Sequence, residues 1–144
     1  MRKRTLARDW ALKILYQSDI IGKTRPIELI AEQFFANEEL KDPEVQAFCQ
    51  ELVSGVHNHG TEIDALISKY ATNWQLKRMA VIDKNILRMG VFELRFMDDI
   101  PPKVTINEAV ELAKKFGDLE SSKFVNGILD KILKTEIVPL GKKL

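Results

Sequence analysis

The chain has few of the residues from which disulfides and metal sites are built. Its single cysteine, Cys49, cannot form a disulfide within the chain, which fits a reducing compartment. The only two histidines are His57 and His59, and no third ligand lies near them in sequence. A turn at the end of a helix explains this pair, so we predict no metal site.

Long apolar runs are also missing. No run reaches the roughly 18 residues that a membrane-spanning helix requires. The N-terminus is basic, but the apolar core of a signal peptide does not follow it. These absences, together with the lone cysteine, predict a cytoplasmic protein without a membrane partner.

The usual arrangements of catalytic residues are absent as well. The sequence contains no glycine-rich loop for phosphate, and no serine or cysteine nucleophile is paired with a histidine. Asp83 and Glu93 could suggest an acid/base pair, but ten residues along one helix separate them by about 15 Å, on different sides. We therefore predict that the protein is not an enzyme and needs no cofactor.

One apolar stretch, residues 79–97, organises the rest of the chain. Ile82, Ile86 and Met89 belong to one helical stripe, and Leu87 and Val91 belong to a second. A helix that is apolar on most sides is covered by neighbouring helices. The stretch therefore predicts a buried central helix.

Helix boundaries are marked by capping residues elsewhere in the chain. Asp42 followed by Pro43 is typical of a helix start. Thr61 is a predicted N-cap, and Thr105 with Glu108 has the spacing of a capping box.

Other signals predict where helices end. Gly22 and Gly117 are typical of helix ends, residues 72–74 are predicted to form a turn, and a loose tail is expected from Pro139. The pattern gives about seven helices and no convincing strand. The 144 residues are therefore expected to form one all-α domain, 1–144.

Charge is balanced overall but segregated locally. The net charge is only +1, yet the N-terminus holds a basic cluster and the second predicted helix is acidic. The basic cluster comprises Arg2, Lys3, Arg4 and Arg8. It can be a solvated terminus or part of a surface for nucleic acid.

Near the C-terminus, Lys123, Phe124, Gly127 and Lys131 fall on one side of a predicted helix, away from its core stripe. Phe124 can be covered by the first helix, as an ordinary core residue. It can also be a platform on which an unpaired base stacks, with the lysines close to phosphates. The spacing alone leaves both interpretations open.

Several segments, in this order, resemble the NusB family of transcription antitermination factors, and the resemblance covers nearly the whole chain. The segments are RDWALKILYQ (8–17), DKNILR (83–88), FEL (92–94), PKVTINEAVELAK (102–114), FG (116–117) and KFVNGILD (123–130). The resemblance implies two helical subbundles. It also implies binding of boxA-type single-stranded RNA with a small ribosomal-subunit protein, within an RNA polymerase antitermination complex on ribosomal RNA genes.

The predicted RNA-binding residues combine cations with aromatic and amide side chains. They are Arg2, Lys3, Arg4, Arg8, Tyr16, Gln17, Tyr70, Lys123, Phe124 and Asn126. Asp83 is predicted to pair with a basic protein partner, although it could equally steady the preceding turn. The resemblance leaves open a homodimer. The alternative function is a helical protein-interaction adaptor without specific RNA binding.

Overall fold

The structure is a computed structural model that describes residues 2–22, 25–71 and 79–144. The turn predicted at residues 72–74 lies outside the described residues. The α-helices are α1 (Lys3–Ile21), α2 (Ile27–Asn37), α3 (Pro43–Asn58), α4 (Gly60–Tyr70), α5 (Val81–Phe96), α6 (Pro102–Phe116) and α7 (Leu119–Ile132). A π-helical turn (Leu133–Ile137) and a 3-10 turn (Val138–Leu140) follow α7. These described ranges contain no strand, and the all-α prediction is confirmed.

The chain divides into two compact units, Met1–Asn58 and His59–Leu144. We call them the first unit and the second unit. The division agrees with the two helical subbundles that the family resemblance implies. The prediction of a single domain over 1–144 stays a prediction.

In the first unit, α1 and α2 both pack on α3. The start of α3 follows the prediction, because Oδ1 of Asp42 accepts the backbone N–H of Glu44 at 2.9 Å and that of Val45 at 3.3 Å. An N-cap of this kind stabilises a helix by about 1 kcal/mol. Cys49 on α3 is fully buried, and its burial raises the pKa of the thiol to about 12.

In the second unit, α5 contacts α4, α6 and α7, as expected of a central helix. It begins at Val81 and ends at Phe96, so it is slightly shorter than the predicted stretch. Gly90 allows the close approach of α7, since a Cβ at position 90 would lie 2.8 Å from Cδ1 of Leu129. A glycine in a helix interior costs about 1 kcal/mol relative to alanine, and the close approach of a neighbouring helix accounts for its presence here.

Both threonine caps in the second unit were wrongly predicted. The α4 helix begins at Gly60 with His59 at the N-cap position, so Thr61 is already inside the helix. Similarly, α6 begins at Pro102, because a proline at the first helical position needs no amide donor. Thr105 therefore lies one turn into α6, where its buried hydroxyl donates to Oε1 of Glu93 at 3.0 Å.

The expected loose tail is anchored through one lysine. Nζ of Lys142 donates to the carbonyl oxygens of Glu93 and Leu94 at 3.1 Å, and to that of Met97 at 3.0 Å. The last carbonyls of a helix have no partner within the helix, and a cation there also complements the helix dipole. Partial burial lowers the pKa of Lys142.

None of the helices in the described ranges combines the length and the apolar character needed to cross a membrane.

Candidate nucleic-acid interface

The basic end of α1 lies at the surface of the first unit, but its cations differ in what they contact. Arg2, Lys3 and Arg4 are exposed. Nζ of Lys3 lies 3.3 Å from Oδ2 of Asp42 and 3.2 Å from Oε1 of Glu44. These two carboxylates, Glu44 first, raise the pKa of Lys3. Much of the charge of Lys3 is thus balanced within the protein.

The two other arginines of this cluster share an aromatic partner on α3. The guanidinium carbon of Arg4 lies 4.7 Å from the centre of the Phe48 ring, and that of Arg8 lies 5.3 Å from it. Cations in this position are attracted by the electrons of the ring. Arg4 is exposed, whereas Arg8 is only 2% exposed. Burial favours a structural role for Arg8, and its role in RNA binding stays a prediction.

Tyr16 and Gln17 lie about two turns beyond Arg8 on α1, and both are exposed. Tyr16 retains 41% of its accessible surface, which leaves it open to a ligand. The first unit therefore presents Arg2, Arg4, Tyr16 and Gln17 at its surface.

In the second unit, the α7 helix carries the predicted stacking residue. Asp118 is the N-cap, since its Oδ1 accepts the backbone N–H of Ser121 at 2.7 Å. Lys123 and Asn126 are exposed, and Phe124 between them is half-buried. A Cβ at Gly127 would meet nothing within 4 Å, so open space lies beside this part of the helix. An intermediate burial of Phe124 is compatible with both interpretations of this residue.

Tyr70, the last residue of α4, is held by a carboxylate. Its hydroxyl donates to Oε2 of Glu136 at 2.5 Å, and Nζ of Lys69 lies 3.1 Å from the same oxygen. These two donors, Tyr70 first, lower the pKa of Glu136. Nζ of Lys69 also lies 5.4 Å from the centre of the Tyr70 ring.

Asp83, the predicted partner contact, makes a hydrogen bond within the second unit. Its Oδ2 accepts the hydroxyl of Ser121 at 3.2 Å, which links the first turn of α5 to α7. Desolvation by burial raises the pKa of Asp83, although the Ser121 hydroxyl opposes this shift. Ser121 lies on α7 and not in the preceding turn, so this contact differs from the structural alternative raised from the sequence. The partner contact stays a prediction.

Comparison with known proteins places the chain in a family. A model of the NusB family matches residues 5–134. The transcription antitermination protein NusB of Myxococcus xanthus is 49% identical over 133 residues, covering 92% of this chain and 95% of that protein. The chain belongs to the NusB family.

Solved NusB structures share the fold of this chain. NusB of T. maritima has a TM-score of 0.84 and 36% identity, covering 95% of this chain and 94% of that one. The antitermination factor NusB solved in complex with NusE and double-stranded RNA has a TM-score of 0.83 and 31% identity. That similarity covers 93% of this chain and 98% of that one.

Sequence reasoning missed two residues that organise the candidate interface of this NusB-family chain. The helical spacing of α3 gives Phe48 a core position, and the residue is 6% exposed. The spacing could not indicate that its ring faces two arginines. No sequence pattern pointed to Glu136, because the π-helical turn that contains it breaks the 3.6-residue period of the helix.

Across residues 2–22, 25–71 and 79–144, no cluster of three or more histidine, cysteine, aspartate or glutamate side chains could hold a metal ion.

Proposed function

We propose that this protein is a cytoplasmic transcription antitermination factor without catalytic activity. It binds boxA-type single-stranded RNA together with a small ribosomal-subunit protein, within an RNA polymerase complex that transcribes ribosomal RNA. The observation that carries this proposal is the similarity to NusB antitermination proteins along nearly the full chain. The complex of a related NusB with NusE and RNA supports both kinds of partner.

The candidate residues suit different parts of an RNA strand. Arg2 and Arg4 can neutralise phosphates, which is the main source of affinity for nucleic acid. Tyr16, Tyr70 and Phe124 offer ring surfaces on which unpaired bases can stack. The Asn126 amide can both donate to a base edge and accept from it.

The test is an RNA shift assay with and without the ribosomal protein, at several salt concentrations. The RNAs are a single-stranded boxA-type sequence, a permuted strand of the same composition, and a double-stranded version. We expect the boxA strand to bind most tightly, and the ribosomal protein to strengthen that binding. Equal affinity for the boxA and permuted strands would contradict specific recognition.

A second candidate function is a helical adaptor that binds proteins but not a specific RNA. The observation that favours it is the internal use of the basic cluster, because Lys3 is paired with two carboxylates and Arg8 is buried. An adaptor of this kind would bind the ribosomal protein equally well with or without RNA. A measurement of that affinity in both conditions separates the two functions.

A further inference from the structure

The π-helical turn after α7 places a carboxylate against Tyr70, a predicted RNA-binding residue, and against its neighbour Lys69. π-Helical turns are rare, and they frequently occur at functional sites. This turn, Leu133–Ile137, continues directly from α7 and contains Glu136. Oε2 of Glu136 accepts the Tyr70 hydroxyl and is also paired with the Lys69 ammonium. One oxygen atom therefore restrains two consecutive side chains at the end of α4.

The restrained pair has the chemistry of a nucleotide-binding element. A tyrosine ring can stack on a base, and an ammonium group beside it can neutralise a phosphate. Ordering such side chains before the ligand arrives lowers the entropic cost of binding. The hydrogen bond from the Tyr70 hydroxyl to Glu136 restrains the Tyr70 ring. The ion pair with Glu136 holds the Lys69 ammonium close to that ring.

The simplest alternative gives Glu136 no role in binding. Exposed ion pairs contribute little to stability, and a carboxylate close to an RNA strand repels its phosphates. In that case, removal of Glu136 should leave RNA affinity unchanged or strengthen it. A positioning role predicts instead that removal of Glu136 weakens RNA binding. One Glu136 variant therefore distinguishes the two roles.

We propose that Glu136 is a positioning residue for RNA binding, which acts by holding Tyr70 and Lys69 in the arrangement that receives one nucleotide. The proposal rests on the proposed function, in which Tyr70 contacts RNA. It extends the candidate site to a residue beyond the range that the family model matches, residues 5–134.

The test measures the affinity of the full chain for a single-stranded boxA-type RNA that carries 2-aminopurine at successive positions. Glu136→Ala should weaken binding by about three- to tenfold, the factor expected for one lost hydrogen bond. Tyr70→Phe should weaken binding similarly, and the double variant should be no weaker than either single variant. Glu136→Gln keeps an oxygen that accepts the Tyr70 hydroxyl but loses the ion pair with Lys69, so its affinity should lie between those of the wild type and Glu136→Ala.

The 2-aminopurine signal adds a readout that a purely structural role would not change. Loss of stacking at one RNA position, with the other positions unaffected, is expected for Glu136→Ala. The matched control is Glu111→Ala, which removes one exposed carboxylate from an ion pair on α6. Melting temperatures of all variants ensure that binding is compared while each variant is folded.

Three results would overturn the proposal. Glu136→Ala could bind as tightly as Glu111→Ala, which would reduce Glu136 to a neighbouring charge. The Glu136 and Tyr70 effects could add, which would show that they act separately. Finally, normal binding by Tyr70→Ala would remove Tyr70 from the RNA site. The proposed function would survive that result if Arg4 and Phe124 variants still lost affinity.

Discussion

The contact between α5 and α7 allows a sharp prediction about Gly90. A methyl group at this position would lie 2.8 Å from Cδ1 and 2.9 Å from Cδ2 of Leu129. Leu129 is completely buried, so its side chain has little room to move away. Overpacking of this kind costs about 1–3 kcal/mol. Alanine recovers about 1 kcal/mol of helix propensity, so Gly90→Ala should lower the free energy of unfolding by about 1 kcal/mol.

The chain offers a matched control in Gly127, which is also in the interior of a helix. A Cβ there would meet nothing within 4 Å, so only the propensity gain remains. Gly127→Ala should therefore raise the free energy of unfolding by about 0.5–1 kcal/mol. Urea unfolding followed by circular dichroism measures both variants.

Stabilisation by Gly90→Ala as large as that by Gly127→Ala would contradict a close contact between position 90 and Leu129. A second comparison isolates the contact itself. In a Leu129→Ala background the obstructing side chain is gone, so Gly90→Ala should be less destabilising or become stabilising there. An unchanged effect would show that Leu129 is not the cause.

Four further predictions concern single side chains. Phe124→Ala should keep its helical signal and most of its thermal stability but lose about tenfold or more in RNA affinity, which is the loss expected for one stacked base. A much lower melting temperature, with normal RNA binding by the folded protein, would instead make Phe124 a core residue. Arg4→Ala should reduce the salt dependence of RNA binding by about 0.7 in log–log slope, whereas Arg8→Ala should mainly lower the melting temperature. Asp83→Lys should weaken binding of the ribosomal protein at nearly unchanged melting temperature, and a large stability loss with intact binding would instead favour the Ser121 contact as its role. With a pKa of about 12, the Cys49 thiol stays protonated at pH 8, so it should react with a maleimide only after unfolding.

Parts of the fold could be predicted because their signals are local and repeated. The α5 helix carries two apolar stripes, which indicate burial on most of its sides. Asp42 was predicted correctly as an N-cap, because an adjacent Pro43 supports the same helix start.

The wrong predictions arose where two local signals compete or where the partner is distant in sequence. Thr105 has capping-box spacing, but Pro102 also marks a helix start, and the earlier signal sets the boundary. The Thr105 hydroxyl instead satisfies Glu93 on another helix. Lys142 stabilises the end of α5 from 45 or more positions away, which no local pattern can indicate.

The candidate interface was predictable only in its residue types. Exposed cations and aromatic rings could be picked out from position and family resemblance. The internal partners of Lys3, Arg4 and Tyr70 depend on tertiary packing, and they alter which side chains can reach an RNA. These contacts depend on the distances between helices, which cannot be read from local sequence patterns.

Transcription in a purified system tests the central claim most directly. The measured quantity is the fraction of transcripts that read through a terminator placed downstream of a boxA-type sequence. Read-through should rise when RNA polymerase, the ribosomal protein and this chain are all present, and it should fall back with a permuted boxA or with Phe124→Ala. Read-through that does not depend on this chain, or that is equal on the permuted template, would contradict the account.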